Sequence, residues 1–358
     1  MNIMYIAGES SDFVLNLCNE FCNQGHKVTC VVQNEDSYDK ENPIIPHKDI
    51  IRIDVSYKQL FTGEGILDKI QEVVFKNKFD VVFGSHAPTA PFVQHIGTKY
   101  KIPWGIMLLD IPSDLIDAYR PRMKQWLKWF DVMKHADAVI FNTEIARDEY
   151  ERFTGQHFSS AYVIPYAINM PEEFNLSGVD KQGNYVISVC RLTDIKNCKI
   201  IPEALKYLDM PKKYVCVGRI SDPEEFEIIK QRCEEYGVEF EHHIDVTEQQ
   251  KFELIRDSLA LIYPQMTEYI GGLSPFEGMY CGKPIIVPDF KVLKDLYLDY
   301  PFYYDGTALD LAKKIAFVHC STIDKQNTRL CASNQYTKKI ASFNYMAKKM
   351  LEIFERMK

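Results

Sequence analysis

The chain has 358 residues, of which 46% are hydrophobic and 26% charged, with a formal net charge of −8. That length suggests two domains, each able to bury a core, and an acidic balance with no long run of one sign argues against wholesale nucleic-acid binding, which needs a basic stripe. Ten cysteines without a C-x-x-C pair, several inside predicted strands or helices, read as small apolar residues in a reducing compartment, not as a disulfide framework or zinc site.

The opening MNIMYIAGES has too short an apolar run for a signal peptide, and no window reaches the ~18 apolar residues of a membrane span. A cytoplasmic protein, soluble or peripheral to a membrane, is expected. NIMYIA reads as a buried strand. SDFVLNLCNEFCNQG reads as a helix, with Phe13, Leu17 and Phe21 at spacing four and Gly25 at the C′ stop. KVTCVV, DVVFG, WGIMLL, AVIFN and AYVIP follow as strands, with helices centred near residues 71, 95, 128 and 148. Strand–helix alternation with apolar strands predicts a parallel sheet covered on both faces.

Two loops of this half carry candidate chemistry. His86, in FGSHAPTAP, falls just past the carboxyl end of a strand, where it can face a ligand or serve as an ordinary structural histidine. Asp110 and Asp114, in LLDIPSDL, suit the hydroxyls of a ligand or a helix cap after Pro112. Further on, in YRPRMKQWLKWFDVMKH, Met123, Trp126, Leu127, Phe130 and Met133 mark one apolar face. Arg120, Arg122, Lys124 and Lys128 add positive charge, and Trp129 falls off the stripe. Residues 120–134 suit peripheral contact with an anionic bilayer. They equally suit a core-facing helix with a solvated charged face, the commoner arrangement.

IPYAINMPEEFNLSGVDKQGN is rich in Pro, Gly and Asn and has no period, so residues 168–184 are expected to form a linker. The same grammar then restarts. YVISVC, YVCVG, VEFEH, LALIYP and PIIVP are strands, with helices near residues 205, 230, 252 and 278, and a last helix over 336–357 that can pack back on either domain. The expected domains are 1–168 and 169–335. Two doubly wound Rossmann-like domains place a cleft between the carboxyl ends of their sheets, where ligands bind in such folds.

The loops after the strands of the second half therefore matter most. In CRLTDIKN, Arg191 and Lys196 can clamp a diphosphate, one as a fork and one as a point charge; a solvated loop is the bland alternative. Arg219, in VGRISDP, leaves the next strand. TEYIGGLSPFEGMYCGKPIIVPD holds a helix start. Ser274 can be N-cap, Pro275 N1 and Glu277 the N3 partner of a capping box, with Gly282 as the stop. Capping does not explain TEYIGG. Gly271 and Gly272 let backbone approach a ligand closely, and the N–H groups of Leu273 and Ser274 open the helix beyond them. Glu268 and Glu277 flank that place and can accept from sugar and ribose hydroxyls.

On these motifs the chain resembles the retaining GT-B glycosyltransferases of family 4. SVCRLTDIKN is similar to the family's strand-G-R-L-x-x-x-K loop, with Cys190 where glycine is usual. GGLSPFEGMYCGKPIIV is similar to the second part of its E-x7-E signature and the A-C-G-x-P-V-I-V run after it. NQGHKVTCVV, FDVVFGSH, KIPWGIMLLD and ADAVIFNTEIARDEY match more loosely in the first half, and ASFNYMAKKMLEIF resembles the helix that crosses back to the first domain. The chain departs from the family in four places. Tyr269 stands where the first glutamate belongs and Glu268 one residue earlier. Gly8 alone precedes ESSD where a glycine pair is usual. Leu109 stands beside Asp110 where a histidine is frequent, and IPYAIN replaces IPNGVD.

The resemblance implies an α/β, GT-B fold and transfer of a sugar from a UDP- or GDP-sugar donor to a glycan, lipid-linked or small-molecule acceptor with retention of configuration. It implies that Glu277 holds the ribose and that Arg191 and Lys196 neutralise the departing diphosphate. Glu268 and the Gly271–Ser274 backbone would grip the donor. Gly8 and Arg219 would lie beside it, and His86 and Asp110 would be catalytic candidates. The diphosphate oxygen would itself take the acceptor's proton, so paired carboxylates at glycosidase spacing are not required. The chain contains no D-x-D, which argues against a metal-clamped diphosphate, and no cofactor is called for beyond the nucleotide-sugar substrate. Two alternatives stand beside this expectation: a non-catalytic nucleotide-sugar-binding scaffold on the same fold, and a nucleotide-sugar epimerase. A nicotinamide dehydrogenase is disfavoured, because no G-x-G-x-x-G follows the first strand.

Overall fold

The computed structural model describes all residues except 8–10, 34–42, 57–58, 60–64, 109–122, 211, 267–270 and 322, and only the backbone of residues 11, 66, 123–127 and 323–326. The chain divides into two compact units, Met1–Tyr166 with Phe343–Lys358, and Ala167–Ser342. The division falls at Tyr166, inside IPYAIN and two residues before the expected one.

In the first unit, β1 (Asn2–Ile6), β2 (Lys27–Gln33), β3 (Ile50–Val55), β4 (Val81–Ser85), β5 (Trp104–Leu108), β6 (Ala138–Phe141) and β7 (Ala161–Val163) form one sheet in the order β3-β2-β1-β4-β5-β6-β7. Every pair is parallel, with Ile3 opposite both Val28 and Val81. Ile3, Met4, Tyr5 and Ile6 are fully buried, as expected of a strand covered on both faces. Helices α1 (Ser11–Asn23), α2 (Ile66–Lys76), α3 (Ala90–Tyr100), α4 (Met123–Met133) and α5 (Glu144–Thr154) make the crossovers. Thr143 caps α5 by accepting from Ala146 N, and Gly155 ends that helix in the left-handed conformation.

Helix α4 corrects one expectation. Trp129, placed off the apolar stripe by sequence, is 5% exposed and packs with Phe130 and Met133 into a core with Ile106 and Phe141. The described side chains of this helix follow the core-facing pattern, with Lys128 outward. Arg120 and Arg122 lie outside the described residues. Among the described residues, no helix is long and apolar enough to cross a membrane.

In the second unit, β8 (Val186–Val189), β9 (Lys213–Val217), β10 (Glu239–His243), β11 (Ala260–Ile262), β12 (Ile285–Pro288) and β13 (Phe302–Tyr304) form a parallel sheet in the order β10-β9-β8-β11-β12-β13. Its helices are α6 (Ile200–Leu205), α7 (Pro223–Tyr236), α8 (Glu248–Arg256), α9 (Ser274–Tyr280), α10 (Lys291–Tyr297), α11 (Ala308–Cys320) and α12 (Ile323–Ile340). The single helix expected over 336–357 is two. Helix α12 stops at Ile340, and α13 (Phe343–Met357) belongs to the first unit. The cause is not local. The Ala341 carbonyl accepts from Ile168 N at 2.8 Å, and Ser342 forms a parallel bridge with Ile168, so the backbone there pairs sideways instead of continuing the helix. Within the first unit α13 packs on α1, with Phe13 and Phe343 ring centroids 5.3 Å apart and Phe21 and Phe354 5.9 Å apart.

Residues 168–184, expected as a linker, are packed. Phe174 is 2% exposed and stacks on Phe252 at 5.4 Å, Leu176 N donates to Tyr280 O at 3.0 Å, and Gly178 N donates to Cys281 O at 2.8 Å. Lys283 reaches into this segment, donating to Lys181 O at 2.7 Å and Gly178 O at 3.3 Å. Burial lowers its pKa to about 8. Between that value and the unfolded value near 10.4 the unfolded chain holds more protons, so this group's contribution to stability rises with pH across the window. Urea unfolding should show the stability of Lys283→Met, relative to the native protein, falling by up to ~3 kcal/mol between pH 7 and pH 10.5. A difference independent of pH would contradict this.

Candidate functional site

In the second sheet the strand order reverses between β8 and β11, and loops at such a switch point are where doubly wound folds hold ligands. The loop after β8 carries Arg191 and Lys196, and the loop after β11 runs from Tyr263 toward α9. The two are tied together. Met266 N donates to Ile195 O at 3.1 Å, Lys196 Nζ donates to Gln265 Oε1, Tyr263 OH donates to the same oxygen, and Lys196 Nζ stands 5.7 Å from the Tyr263 ring centroid. Arg191 is exposed and has no hydrogen bond or ion pair among the described residues. One held cation and one open cation thus leave the same strand end.

The close approach of neighbouring backbone shapes this loop. Cys190 N donates to Val217 O at 3.0 Å and Leu192 N to Arg219 O at 2.9 Å. Gly218, at φ 144°, lies so near that an added Cβ would stand 2.0 Å from the Cys190 carbonyl oxygen. Gly218→Ala therefore meets both a forbidden backbone region and a backbone clash, and should cost about 2–4 kcal/mol of stability by urea unfolding; a cost below about 0.5 kcal/mol would contradict the geometry. Arg219 pairs with Asp245 at 3.1 Å, between the loops after β9 and β10, one strand away from the switch point.

The helix start around SPFE differs from the expected capping box. Leu273 is the N-cap, Ser274 is already helical, and no side chain caps the helix. Glu277 turns away to Lys251 on α8, its Oε1 2.7 Å from Lys251 Nζ, while Lys251 also reaches Glu248 Oε1 at 2.8 Å. Burial works against the Lys251 ammonium, and the Glu277 and Glu248 carboxylates outweigh it, holding its pKa above the usual lysine range. Glu277 is 7% exposed, and no described residue donates to its Oε2. Gly282, at φ 73°, ends α9 as expected, with Lys283 N donating to Gly278 O at 2.9 Å and Gly282 N to Met279 O at 3.1 Å.

Packing within the unit favours the glycine pair, and Gly272 more firmly than Gly271, because a Tyr263 ring gives way less readily than a Leu296 methyl. A Cβ on Gly272 would stand 2.5 Å from the Tyr263 ring, and one on Gly271 2.1 Å from Leu296. The close approach expected of Gly271 and Gly272 is thus made to Tyr263 and Leu296, and Tyr297 OH fixes the Gly272 carbonyl at 2.5 Å. Leu273 is 40% exposed and Ser274 buried.

In the first unit His86 follows β4, one side of that sheet's own switch point between β1 and β4. Its φ is 65° and ψ 142°, a sparsely populated conformation for a residue with a Cβ, and Thr89 fixes it by donating Oγ1 to the His86 carbonyl at 2.9 Å. Gly8, Asp110, Asp114, Glu268 and Tyr269 lie outside the described residues.

Three contributors went unnoticed in the sequence: Gln265, Tyr263 and Lys251. Only Lys251 left a signal. Glu248, Lys251, Phe252 and Ile255 share one i, i+3, i+4, i+7 stripe of α8, so two charges sit on its buried face.

Residues 11–170 match the model for Glycosyltransferase Family 4, and residues 169–327 match that for Glycosyl transferases group 1. A sequence search of curated proteins gives no match. Among solved structures, sucrose-phosphate synthase from Thermosynechococcus elongatus superposes with a TM-score of 0.78 at 14% identity, over 100% of this chain and 99% of that one. A UDP-forming α,α-trehalose-phosphate synthase from Burkholderia xenovorans gives 0.76 at 10% identity over 99% of each chain. Anabaena HepE, solved in complex with UDP and glucose, gives 0.75 at 13% identity over 99% of this chain and 100% of that one. At these identities the likeness is one of fold.

Proposed function

We propose that this chain, which belongs to the group 1, family 4 glycosyltransferases, transfers a sugar from a UDP-sugar to an acceptor hydroxyl with retention of configuration and without a metal. The observation that carries the donor assignment is the pair of cations after β8: Arg191 open at the strand end, and Lys196 half-buried beside it on Gln265 and Tyr263. A pair of cations at one strand end, one of them already held, suits a diphosphate whose charge grows as it leaves. UDP as the nucleotide is supported by two relatives in fold, HepE, solved with UDP, and a UDP-forming synthase.

In this reading Arg191 forks onto the diphosphate and Lys196 exchanges its Gln265 contact for a phosphate oxygen. Glu277 accepts from the ribose hydroxyls through Oε2. The bond between the anomeric carbon and the diphosphate oxygen breaks, the acceptor oxygen bonds to that carbon on the same face, and the acceptor proton passes to the departing phosphate. The two cations stabilise that charge in place of a metal, and the residues contribute mainly electrostatics and positioning. Glu268, Asp110 and His86 remain catalytic proposals, with His86 favoured by its strained backbone at a strand end.

A panel of UDP- and GDP-sugars in EDTA tests this, with nucleotide release followed by enzyme-coupled assay and the product anomer by proton NMR. UDP release from one UDP-sugar, with the donor's configuration kept in the product, is expected. Dependence on added manganese, an inverted product or an isomerised nucleotide sugar would each overturn a named part of the proposal.

A further inference from the structure

In the second unit the half-buried Lys251 joins the buried Glu277 to the partly exposed Glu248, a set of charges that the fold does not require. Lys251 Nζ stands 2.8 Å from Glu248 Oε1 and 2.7 Å from Glu277 Oε1. Buried ion pairs are often matched or bettered by apolar residues of similar volume, and the same face of α8 already buries Phe252 and Ile255. Stability therefore gives little reason for a lysine here.

The placement gives a better one. The pair joins α8 to α9, the helix that carries Glu277. Lys251 takes Oε1 alone, leaving Oε2 without a donor among the described residues. A carboxylate held through one oxygen has its rotamer fixed and its other oxygen open. Burial would favour the neutral carboxyl if the ammonium were absent, and a neutral carboxyl is a poorer acceptor for hydroxyls. Glu248 in turn holds Lys251 from the far side, and Asn169 Nδ2 reaches Glu248 Oε1 at 3.5 Å.

We infer that Lys251 is a positioning residue that locks the Glu277 carboxylate with Oε2 open to the ribose hydroxyls, so that discrimination between a ribonucleotide and its deoxy form depends on a side chain that never touches the donor. The inference rests on the ribose role proposed above for Glu277.

The test compares affinities for UDP and 2′,3′-dideoxy-UDP by calorimetry, with thermal melting of the same samples. The native protein should prefer UDP by at least about tenfold, from charge-assisted hydrogen bonds. Lys251→Met should bring the preference to within about twofold of unity, Lys251→Arg should keep most of it, and Lys251→Met with Glu277→Gln should lose no more than Glu277→Gln alone. The double variant should also melt above Lys251→Met, because no carboxylate is left buried and unpaired. Should Lys251→Met not melt cooperatively, Lys251→Gln, which keeps a donor and loses the charge, carries the same expectation. A folded Lys251→Met or Lys251→Gln that keeps the native preference overturns the inference, leaving Lys251 purely structural. A native protein that binds UDP and its dideoxy form equally overturns it differently, by removing the ribose role of Glu277 while the phosphate clamp stands. Native protein that binds neither removes the donor reading itself, and the inference with it.

Discussion

Arg191→Ala combined with Lys196→Ala should abolish nucleoside-diphosphate binding by a protein that remains folded. In the proposed clamp each cation would offer charge-assisted hydrogen bonds to phosphate worth about 1.5–3 kcal/mol, so losing both should weaken the dissociation constant by roughly 10²–10⁴-fold. The stability cost should be small. Arg191 is exposed without a described partner, and Lys196 gives up one hydrogen bond to Gln265 and its place over the Tyr263 ring. Together these are worth about 1–2 kcal/mol. Calorimetry with UDP, beside circular-dichroism melting, separates the two effects. A cooperatively folded double variant with native UDP affinity would defeat the clamp.

Glu277→Ala should damage stability as well as binding. It strands Lys251, a half-buried ammonium, with Glu248 as its remaining described carboxylate. Breaking a buried pair from one side costs about 3–5 kcal/mol, a large share of the 5–15 kcal/mol that holds a typical domain folded. Glu277→Gln keeps the volume and an oxygen for Lys251, so it should cost less stability while still weakening the hold on ribose. Were Glu277 a capping residue, glutamine would replace it with little effect on either count. Urea denaturation of both variants decides: a Glu277→Ala cost below about 1 kcal/mol would contradict the buried pair.

Most of the fold was legible because both sheets are parallel and covered on both faces, so strands such as NIMYI, VVFGS and IIVP read as unbroken apolar runs. The edge strand β3 was missed for the complementary reason. IIRIDV is half-exposed and carries Arg52 and Asp54, so no apolar run marks it. Strand β13 has three residues, too few for a period. Chain breaks were less readable where distant residues set them: Ser342 ends a helix because Ile168 pairs beside it, and residues 168–184 looked like a linker although Phe174 and Gly178 are packed.

The site divides along the same line. That Arg191 and Lys196 leave one strand end could be read from spacing, because a loop after a strand keeps its own residues together. SPFE could not, because a capping box and an ion-paired glutamate share one local pattern, and the partner that decides between them, Lys251, is 26 residues away. The glycine pair signalled a close approach, and its object, Tyr263 and Leu296, lies in other elements.

The central claim is a metal-free UDP-sugar site built on the loop after β8, and calorimetric titration of the native protein with UDP in EDTA tests it most directly. Saturable one-to-one binding, little changed by adding magnesium or manganese and lost in the Arg191→Ala, Lys196→Ala double variant, is the predicted result. No binding in EDTA, or binding that appears only when a divalent metal is restored, would contradict it.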